Sequence, residues 1–306
     1  MVGALTPFGT LSDGRAVDLV TLSHGALAAS ILTYGARLQS FHMGDGPSLC
    51  VGSDRLARYE GPLAFAGPVV APVINRIGGA SARIDGTEYR FEANQDGRHT
   101  LHSGAAGAQF AIWDVARSDT ASVTLTHRMP AGQGGYPGNR TISVTYALIE
   151  AALCVTLEAM TDAPTLMNPA LHGVWNLDGT ADWGGHRLSI PAETYLPAGP
   201  DTRPTGKIAP VAGTGFDYRA ARAPDPALDH NFCFDAPGLR ATLTGTSGRT
   251  LTIRSDAPGL QAYTGGREGI ALEPQLWPDA PNNPHFPPIL LRPDETFRQS
   301  TDYIPG

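Results

Sequence analysis

The sequence predicts an all-β fold, a large antiparallel β-sandwich, and three observations favour this class. Glycine (36) and proline (26) are so frequent among the 306 residues that long helices have little room. Between these breaks, apolar residues recur at every second position, as they do in half-buried strands. Short polar turns join several of these segments. We therefore expect one domain over residues 1–306, with helix only in short connecting turns.

The first strand signal lies at residues 17–22, where polar and apolar side chains alternate. A hairpin follows further along, because residues 82–84 and 87–91 alternate on either side of Asp85-Gly86. Asp-Gly between alternating arms is among the strongest short-range signals for a two-residue turn.

The longest stretch without glycine or proline, residues 139–163, is long enough for a helix. Its apolar residues recur every second position, however, so we predict two strands that meet at residues 150–152. A further hairpin is predicted with arms at 240–244 and 250–254, and a last strand at 297–303. No linker or internal repeat interrupts this series.

The net charge narrows the classes of binding partner, and the first residues and the cysteines allow two further expectations. The net charge is −7, and the 22 lysines and arginines form no basic run, which argues against nucleic acid or an anionic membrane as partner. A small, neutral, polar ligand fits this composition better. The first residues contain no signal-peptide or anchor pattern, so we expect a cytoplasmic protein. Cys50, Cys154 and Cys233 lie among apolar residues and are expected to be buried free thiols.

The most informative segment for chemistry is 269–279, in which Glu273 follows three apolar residues and precedes Pro274. Proline restricts the backbone of the preceding residue to extended geometry, so Glu273 is expected to be held rigidly in a pocket wall. Burial raises the proton affinity of a carboxylate, which makes Glu273 a candidate base. His102 and His172 are the matching candidates for an acid, although each could be a satisfied core histidine.

Three other features could contribute to a site. Arg76 follows an apolar run and could contact a carboxylate or ligand hydroxyls through its planar fork, or form a structural ion pair. Asp229 stands at the entry to an apolar strand, where a turn or cap aspartate is the alternative. His99 and His102 could suggest a metal, but residues three apart on a strand face opposite sides and no ligand cluster follows. We therefore expect no metal.

Taken together, these segments resemble the aldose 1-epimerase (galactose mutarotase) family. The similarity begins at residues 33–36, ends at 291–297, and includes seven segments in the family's order. They are Asn75-Arg76-Ile77, Leu101-His102-Ser103-Gly104, Gly135-Tyr136-Pro137-Gly138-Asn139, His172 with Asn176-Leu177, Leu228-Asp229-His230-Asn231-Phe232, Gln261-Ala262-Tyr263-Thr264-Gly265 and Leu272-Glu273-Pro274-Gln275. The resemblance implies a mutarotase-like β-sandwich that interconverts the α and β anomers of a free monosaccharide without metal or organic cofactor.

By the same resemblance, Glu273 is expected to be the base that takes the proton of the anomeric hydroxyl. His172 is expected to be the acid that protonates the ring oxygen, and His102 is expected to assist on the ring-oxygen side. The hemiacetal then opens to an aldehyde, rotates and closes as the other anomer. Acid and base must therefore contact one hemiacetal.

The remaining expected contacts are to the sugar itself. The resemblance implies that Arg76 and Asp229 hold sugar hydroxyls, with Asn75 beside them as a further substrate-binding residue. From its proximity, Gln275 could brace the Glu273 segment. Trp277 could stack on a sugar face, as could Trp175 elsewhere in the chain, although either ring could simply fill the core.

Two departures from the family pattern concern the shape of the pocket. Leu171 stands where the family usually has asparagine before the acid histidine, and the link between Gly265 and Leu272 is shorter than in many relatives. Alternatives therefore stay open: an epimerase-like enzyme for a sugar phosphate or uronate, a glycosidase using Glu273 and Asp229, and a non-catalytic carbohydrate-binding protein. The oligomeric state is not predicted by the sequence.

Overall fold

Antiparallel strands form nearly all the regular structure in residues 5–306, the part of the chain that this computed structural model describes. The strands are β1 (Leu5–Thr10), β2 (Ala16–His24), β3 (Leu27–Leu32), β4 (Arg37–Met43), β5 (Val69–Val70), β6 (Arg76–Ile77), β7 (Ser81–Ile84), β8 (Thr87–Arg90), β9 (Thr100–Leu101), β10 (Asp114–Ser118), β11 (Ser122–Met129), β12 (Arg140–Ile149), β13 (Ala152–Thr161), β14 (Thr165–Leu166), β15 (Ala170–Leu171), β16 (Val174–Trp175), β17 (Arg187–Ser189), β18 (Thr194–Leu196), β19 (Ala209–Pro210), β20 (Asp229–Cys233), β21 (Gly238–Thr244), β22 (Thr250–Ser255), β23 (Gly259–Tyr263), β24 (Ile270–Gln275), β25 (Leu290–Leu291) and β26 (Phe297–Pro305).

In the described residues, helix is confined to short 3-10 turns between strands, as the sequence predicts. They span Leu56–Glu60, Gly78–Ala80, Gly104–Ala106, Ala108–Phe110, Gln133–Gly135 and Ala280–Asn282. Across residues 5–306, no helix has both the length and the apolar character needed to cross a membrane.

Two large sheets and one smaller sheet organise the molecule. An eight-stranded sheet has the order β10-β11-β12-β13-β26-β22-β21-β17, and a six-stranded sheet has the order β16-β24-β23-β20-β18-β19. Strands β1 to β4 form a four-stranded meander, and the remaining strands pair in twos. Apolar residues from both large sheets and from the meander belong to one buried cluster, so the fold is the predicted all-β sandwich.

The predicted hairpins are confirmed. Strands β7 and β8 pair across Asp85-Gly86, where Asp85 has a φ of 48° and Gly86 one of 84°. Strands β12 and β13 pair over their full length, and so do β21 and β22 apart from a bulge. The last strand, β26, lies in the middle of the eight-stranded sheet between β13 and β22.

The six-stranded sheet places the candidate site. Its strand β24 is buried at every position, and successive side chains point to opposite faces. Leu272 therefore joins the apolar core between the sheets, while Glu273 points to the other face. On that face the cross-strand neighbours of Glu273 are Gln261 on β23 and, one strand further, Asn231 on β20.

Candidate active site

Glu273 and His172 face each other in a nearly closed part of the structure. Atom Nε2 of His172 lies 3.7 Å from Oε1 of Glu273, and the side chains are only 9% and 3% exposed. Within residues 5–306, Nδ1 of His172 and Oε2 of Glu273 have no hydrogen-bond partner. Buried polar atoms without partners are costly, so this pair is suited to receive a polar ligand.

The surroundings raise the pKa of Glu273 and lower the pKa of His172. Burial raises the pKa of Glu273 to about 8, with the Asp229 carboxylate adding to the rise and the Arg76 guanidinium opposing it. Burial lowers the pKa of His172 to about 4. At pH values between these two, the pair holds one proton, and in the free protein that proton rests on Glu273.

His102 is fixed by a reciprocal contact with Asn75. The Asn75 N–H donates to Nδ1 of His102 at 3.1 Å, and the His102 N–H donates to the Asn75 carbonyl at 2.9 Å. Burial, and then the neighbouring His172 and Arg76, lower the pKa of His102 well below its usual value. His102 is therefore neutral with its proton on Nε2, which can donate a hydrogen bond to a ligand.

An unusual backbone conformation accompanies this contact. Asn75 has a φ of 63° and His102 a φ of 51°, both in the left-handed region that non-glycine residues seldom adopt. Such conformations concentrate at functional sites, where surrounding contacts hold them in place.

Phe65 covers both histidines. Its ring centroid lies 5.1 Å from that of His102 and 5.8 Å from that of His172, and the two imidazoles are 5.3 Å apart. The guanidinium of the buried Arg37 holds the segment that carries Phe65, donating to the carbonyls of residues 63, 64 and 66. The aromatic ring keeps water from one side of the histidines, which sustains the pKa shifts described above.

Arg76 and Asp229 form a second pair beside the first. A terminal guanidinium nitrogen of Arg76 lies 3.3 Å from Oδ2 of Asp229, and the side chains are 11% and 21% exposed. Asp229 also accepts a hydrogen bond of 2.6 Å from the Gln261 amide. Asn75 accepts from Arg76 at 3.3 Å through its side-chain oxygen. A cation, a carboxylate and amides thus lie together, which suits the hydroxyls of a polyol.

Two residues that the sequence suggested, Gln275 and Trp277, have other surroundings. Gln275 is fully buried, and in the described part of the chain neither of its amide atoms has a hydrogen-bond partner, so no side-chain hydrogen bond accompanies its expected role of bracing the Glu273 segment. The indole N–H of Trp277 donates to the Pro258 carbonyl at 2.8 Å. The Trp277 ring packs on Phe286 at 5.1 Å, which favours the core-filling alternative.

Trp175 and His99 also serve packing and local structure. The Trp175 ring is buried against Tyr303, with ring centroids 4.8 Å apart. His99 is buried, and its Nδ1 accepts a hydrogen bond of 3.1 Å from the Gly79 N–H. In residues 5–306, no group of three or more histidine, cysteine or acidic side chains is arranged to hold a metal ion.

Sequence reasoning gave no role to two residues that the structure places in the site, Phe65 and Gln261. Gln261 lies in a segment that resembles the family, but its contact with Asp229 depends on the pairing of β20 with β23. Phe65 carries no polar group, and only its distance from both histidines reveals its position. A strand-pairing prediction could have found Gln261, whereas no sequence signal points to Phe65.

The arrangement can move protons at adjacent oxygens of one ligand. Two oxygens bonded to the same carbon can reach Glu273 and His172 together, because these side chains are 3.7 Å apart. The Arg76 and Asp229 pair can hold other hydroxyls of the same molecule. This is the geometry that general acid–base catalysis on a polyhydroxylated ligand needs.

Comparisons with known proteins show which family the chain belongs to. A family model described as aldose 1-epimerase matches residues 18–303. The chain is 32% identical to human galactose mutarotase over 329 residues, covering 96% of each chain, and 30% identical to aldose 1-epimerase of Escherichia coli, covering 95% of this chain and 96% of that protein. A crystal structure of an aldose epimerase homologue from C. elegans is similar with a TM-score of 0.89 and 27% identity, covering 95% of this chain and 99% of the other.

Proposed function

This chain belongs to the aldose 1-epimerase family and is an aldose 1-epimerase, and we propose that Glu273 and His172 carry the proton transfers of its reaction. The enzyme interconverts the α and β anomers of an aldose by opening and closing the ring. The observation that supports the proposed roles is the 3.7 Å separation of Glu273 Oε1 and His172 Nε2 in a buried setting.

In the proposed mechanism, Glu273 removes the proton of the anomeric hydroxyl while His172 protonates the ring oxygen. The bond between the anomeric carbon and the ring oxygen breaks, and the anomeric oxygen becomes the aldehyde oxygen. After rotation about the bond between the first two carbons, the same two transfers run in reverse and close the ring as the other anomer. No proton is gained or lost over the cycle, so the pair ends as it began.

The single proton of the pair has to move before this chemistry starts. In the free protein it rests on Glu273, because burial favours the neutral forms of both groups. A bound sugar places a hydroxyl donor on the Glu273 carboxylate and an oxygen acceptor against His172, and both contacts favour the charged forms. We propose that sugar binding in this way moves the proton from Glu273 to His172.

The other side chains would hold the sugar. We propose that neutral His102 donates from Nε2 toward the ring oxygen, and that Arg76 and Asp229 bind hydroxyls remote from the anomeric carbon. Asn75 supports Arg76 through its side-chain oxygen, and a direct contact with sugar stays a prediction. These contacts give affinity for the sugar in both its ground state and its transition state, and they set which of its carbons lies against the acid and the base.

A panel of free hexoses and pentoses tests the proposal. Polarimetry or NMR exchange should show faster interconversion of anomers with the enzyme than without it for at least one sugar. Galactose is a rational first member, because several relatives are named galactose mutarotase. Maltose belongs in the panel because a Levilactobacillus brevis relative is named maltose epimerase.

The alternatives have distinct outcomes in the same panel. A relative acting on a sugar phosphate or uronate would accelerate only the anionic sugars, a glycosidase would release sugar from a glycoside, and a carbohydrate-binding protein would bind without turnover. The cytoplasmic location remains a separate proposal, which fractionation of the source cells would test.

A further inference from the structure

We propose that Gln95 is a positioning residue for Arg76, and that through Gln95 the loop at residues 201–203 sets how firmly the enzyme holds the sugar hydroxyls. This inference rests on the proposed role of Arg76 in sugar binding. It adds a residue outside the segments that resemble the family, and it concerns affinity for the sugar, not the proton transfers.

Both ends of the Gln95 amide are engaged. Its oxygen accepts a hydrogen bond of 3.0 Å from Nε of Arg76, and its nitrogen donates to the Thr202 hydroxyl at 3.3 Å. The backbone of Gln95 is fixed as well, because its N–H and carbonyl each bond to the backbone of His99 at 3.0 Å. The amide is therefore held on an anchored backbone between Arg76 and the 201–203 loop.

Gln95 binds Nε of Arg76, the nitrogen whose contact fixes the orientation of the guanidinium plane. A guanidinium has five N–H donors in a rigid fork. In Arg76, Nε donates to Gln95, and the two terminal nitrogens donate to Asn75 and Asp229 at 3.3 Å each. Among the contacts within residues 5–306, two terminal N–H groups of Arg76 remain for a ligand. The Nε contact is the shortest of the three. Its loss would let the guanidinium plane rotate, and the two remaining N–H donors would then point in other directions.

The 201–203 loop reaches the Arg76 segment by a second route. Arg203 contacts the Asp201 carboxylate at 2.8 Å and the Asp279 carboxylate at 3.2 Å. The backbone N–H of Asp279 in turn donates to the Arg76 carbonyl at 3.0 Å. The loop is thus linked to the side chain of Arg76 through Gln95 and to its backbone through Asp279, so a shift of the loop changes the setting of the guanidinium.

The expected kinetic effect follows from where Arg76 acts. It would bind hydroxyls that take no part in bond breaking, so its contacts are equally strong in the ground state and the transition state. Losing such uniform binding raises KM and leaves kcat unchanged. A group that contacts the reacting atoms would lower kcat instead.

Gln95→Met removes both polar atoms while keeping a similar shape. We expect its KM to rise about tenfold, the loss that corresponds to one hydrogen bond to a charged group, with kcat within about twofold of wild type. Gln95→Glu keeps an acceptor for Arg76 and should keep KM near the wild-type value. Gln39→Met is the matched control: Gln39 lies on β4, its amide donates to the Ser53 carbonyl at 3.2 Å, and KM should not change.

Thr202→Val tests the link to the loop and serves if Gln95→Met fails to fold. It should raise KM by a smaller factor, and the double variant should match Gln95→Met alone, because both changes act on one chain of contacts. The proposal is overturned if Gln95→Met leaves KM within about twofold of wild type, if kcat falls as far as kcat/KM, or if the two effects multiply.

Sugar affinity and anomer exchange, measured separately, distinguish a failure of the Gln95 role from a failure of the proposed proton transfers. The dissociation constant of a sugar, measured by calorimetric titration in a Glu273→Gln background, reports on Arg76 without any turnover. An active wild type whose affinity does not depend on Gln95 defeats only the positioning role. A wild type without anomer exchange defeats the proposed proton transfers, whatever the Gln95 variants bind.

Discussion

Replacing Glu273 by glutamine should stabilise the fold, because the buried carboxylate is costly to the folded state, and it should slow catalysis because the base is lost. Burial raises its pKa from 4.5 to about 8. A group whose pKa is raised on folding destabilises the folded state increasingly as pH rises from the unfolded pKa to the folded one. Wild type should therefore lose stability relative to Glu273→Gln between about pH 4.5 and pH 8.

The magnitude follows from the two pKa values. Each pKa unit corresponds to 1.36 kcal/mol, so the difference in unfolding free energy between the two proteins should change by at most on the order of 5 kcal/mol over that range. His172, whose pKa is lowered to about 4, titrates in both proteins and largely cancels in the difference. The glutamine amide adds a constant, so the pH dependence of the difference is the quantity to test.

Denaturant unfolding at several pH values between 4.5 and 8.5 would measure this difference, and polarimetry would measure turnover on the same preparations. We expect turnover to fall about 10² to 10⁴-fold, the usual contribution of a positioned base. Sugar binding, measured by titration, should be retained. The reasoning would be refuted by turnover within tenfold of wild type, or by a stability difference that does not grow with pH.

Further predictions concern the same pair and its neighbours. The dependence of kcat/KM on pH should be bell-shaped. It should fall below about pH 4, where Glu273 and His172 are both protonated, and above about pH 8, where both are deprotonated. A profile flat from pH 3 to 10 would contradict the single-proton pair. Asp229→Asn removes a carboxylate that raises the pKa of Glu273, so the alkaline limb should move to lower pH while KM rises; movement to higher pH would show that another group sets that limb. Dialysis of the enzyme against a chelator should leave kcat and KM unchanged, and restoration of a lost activity by one metal ion would disprove the expected absence of a metal.

Much of the fold could be predicted from the sequence because its signals are local. Asp85-Gly86 determines its hairpin by the backbone conformations that these two residues adopt. The alternation through residues 140–161 identifies two strands because a helix would need a different period. The order of strands in the sheets was not predictable in this way, since β26 pairs with strands about 50 and 140 residues earlier in the chain.

The candidate site also has features that the sequence predicts and features that depend on the tertiary structure. The sequence alone determined that Glu273 would be extended and buried, because a proline follows it within an apolar strand, and resemblance to a family supplied its expected partners. Only the tertiary structure decided that His172 lies against it, that Phe65 covers both histidines, and that Gln95 and Gln261 hold the Arg76 and Asp229 pair. It also decided that Trp277 belongs to the core. The physical reason is that residue type and local backbone are properties of a short segment, whereas distance, burial and the resulting pKa depend on which distant segments pack together.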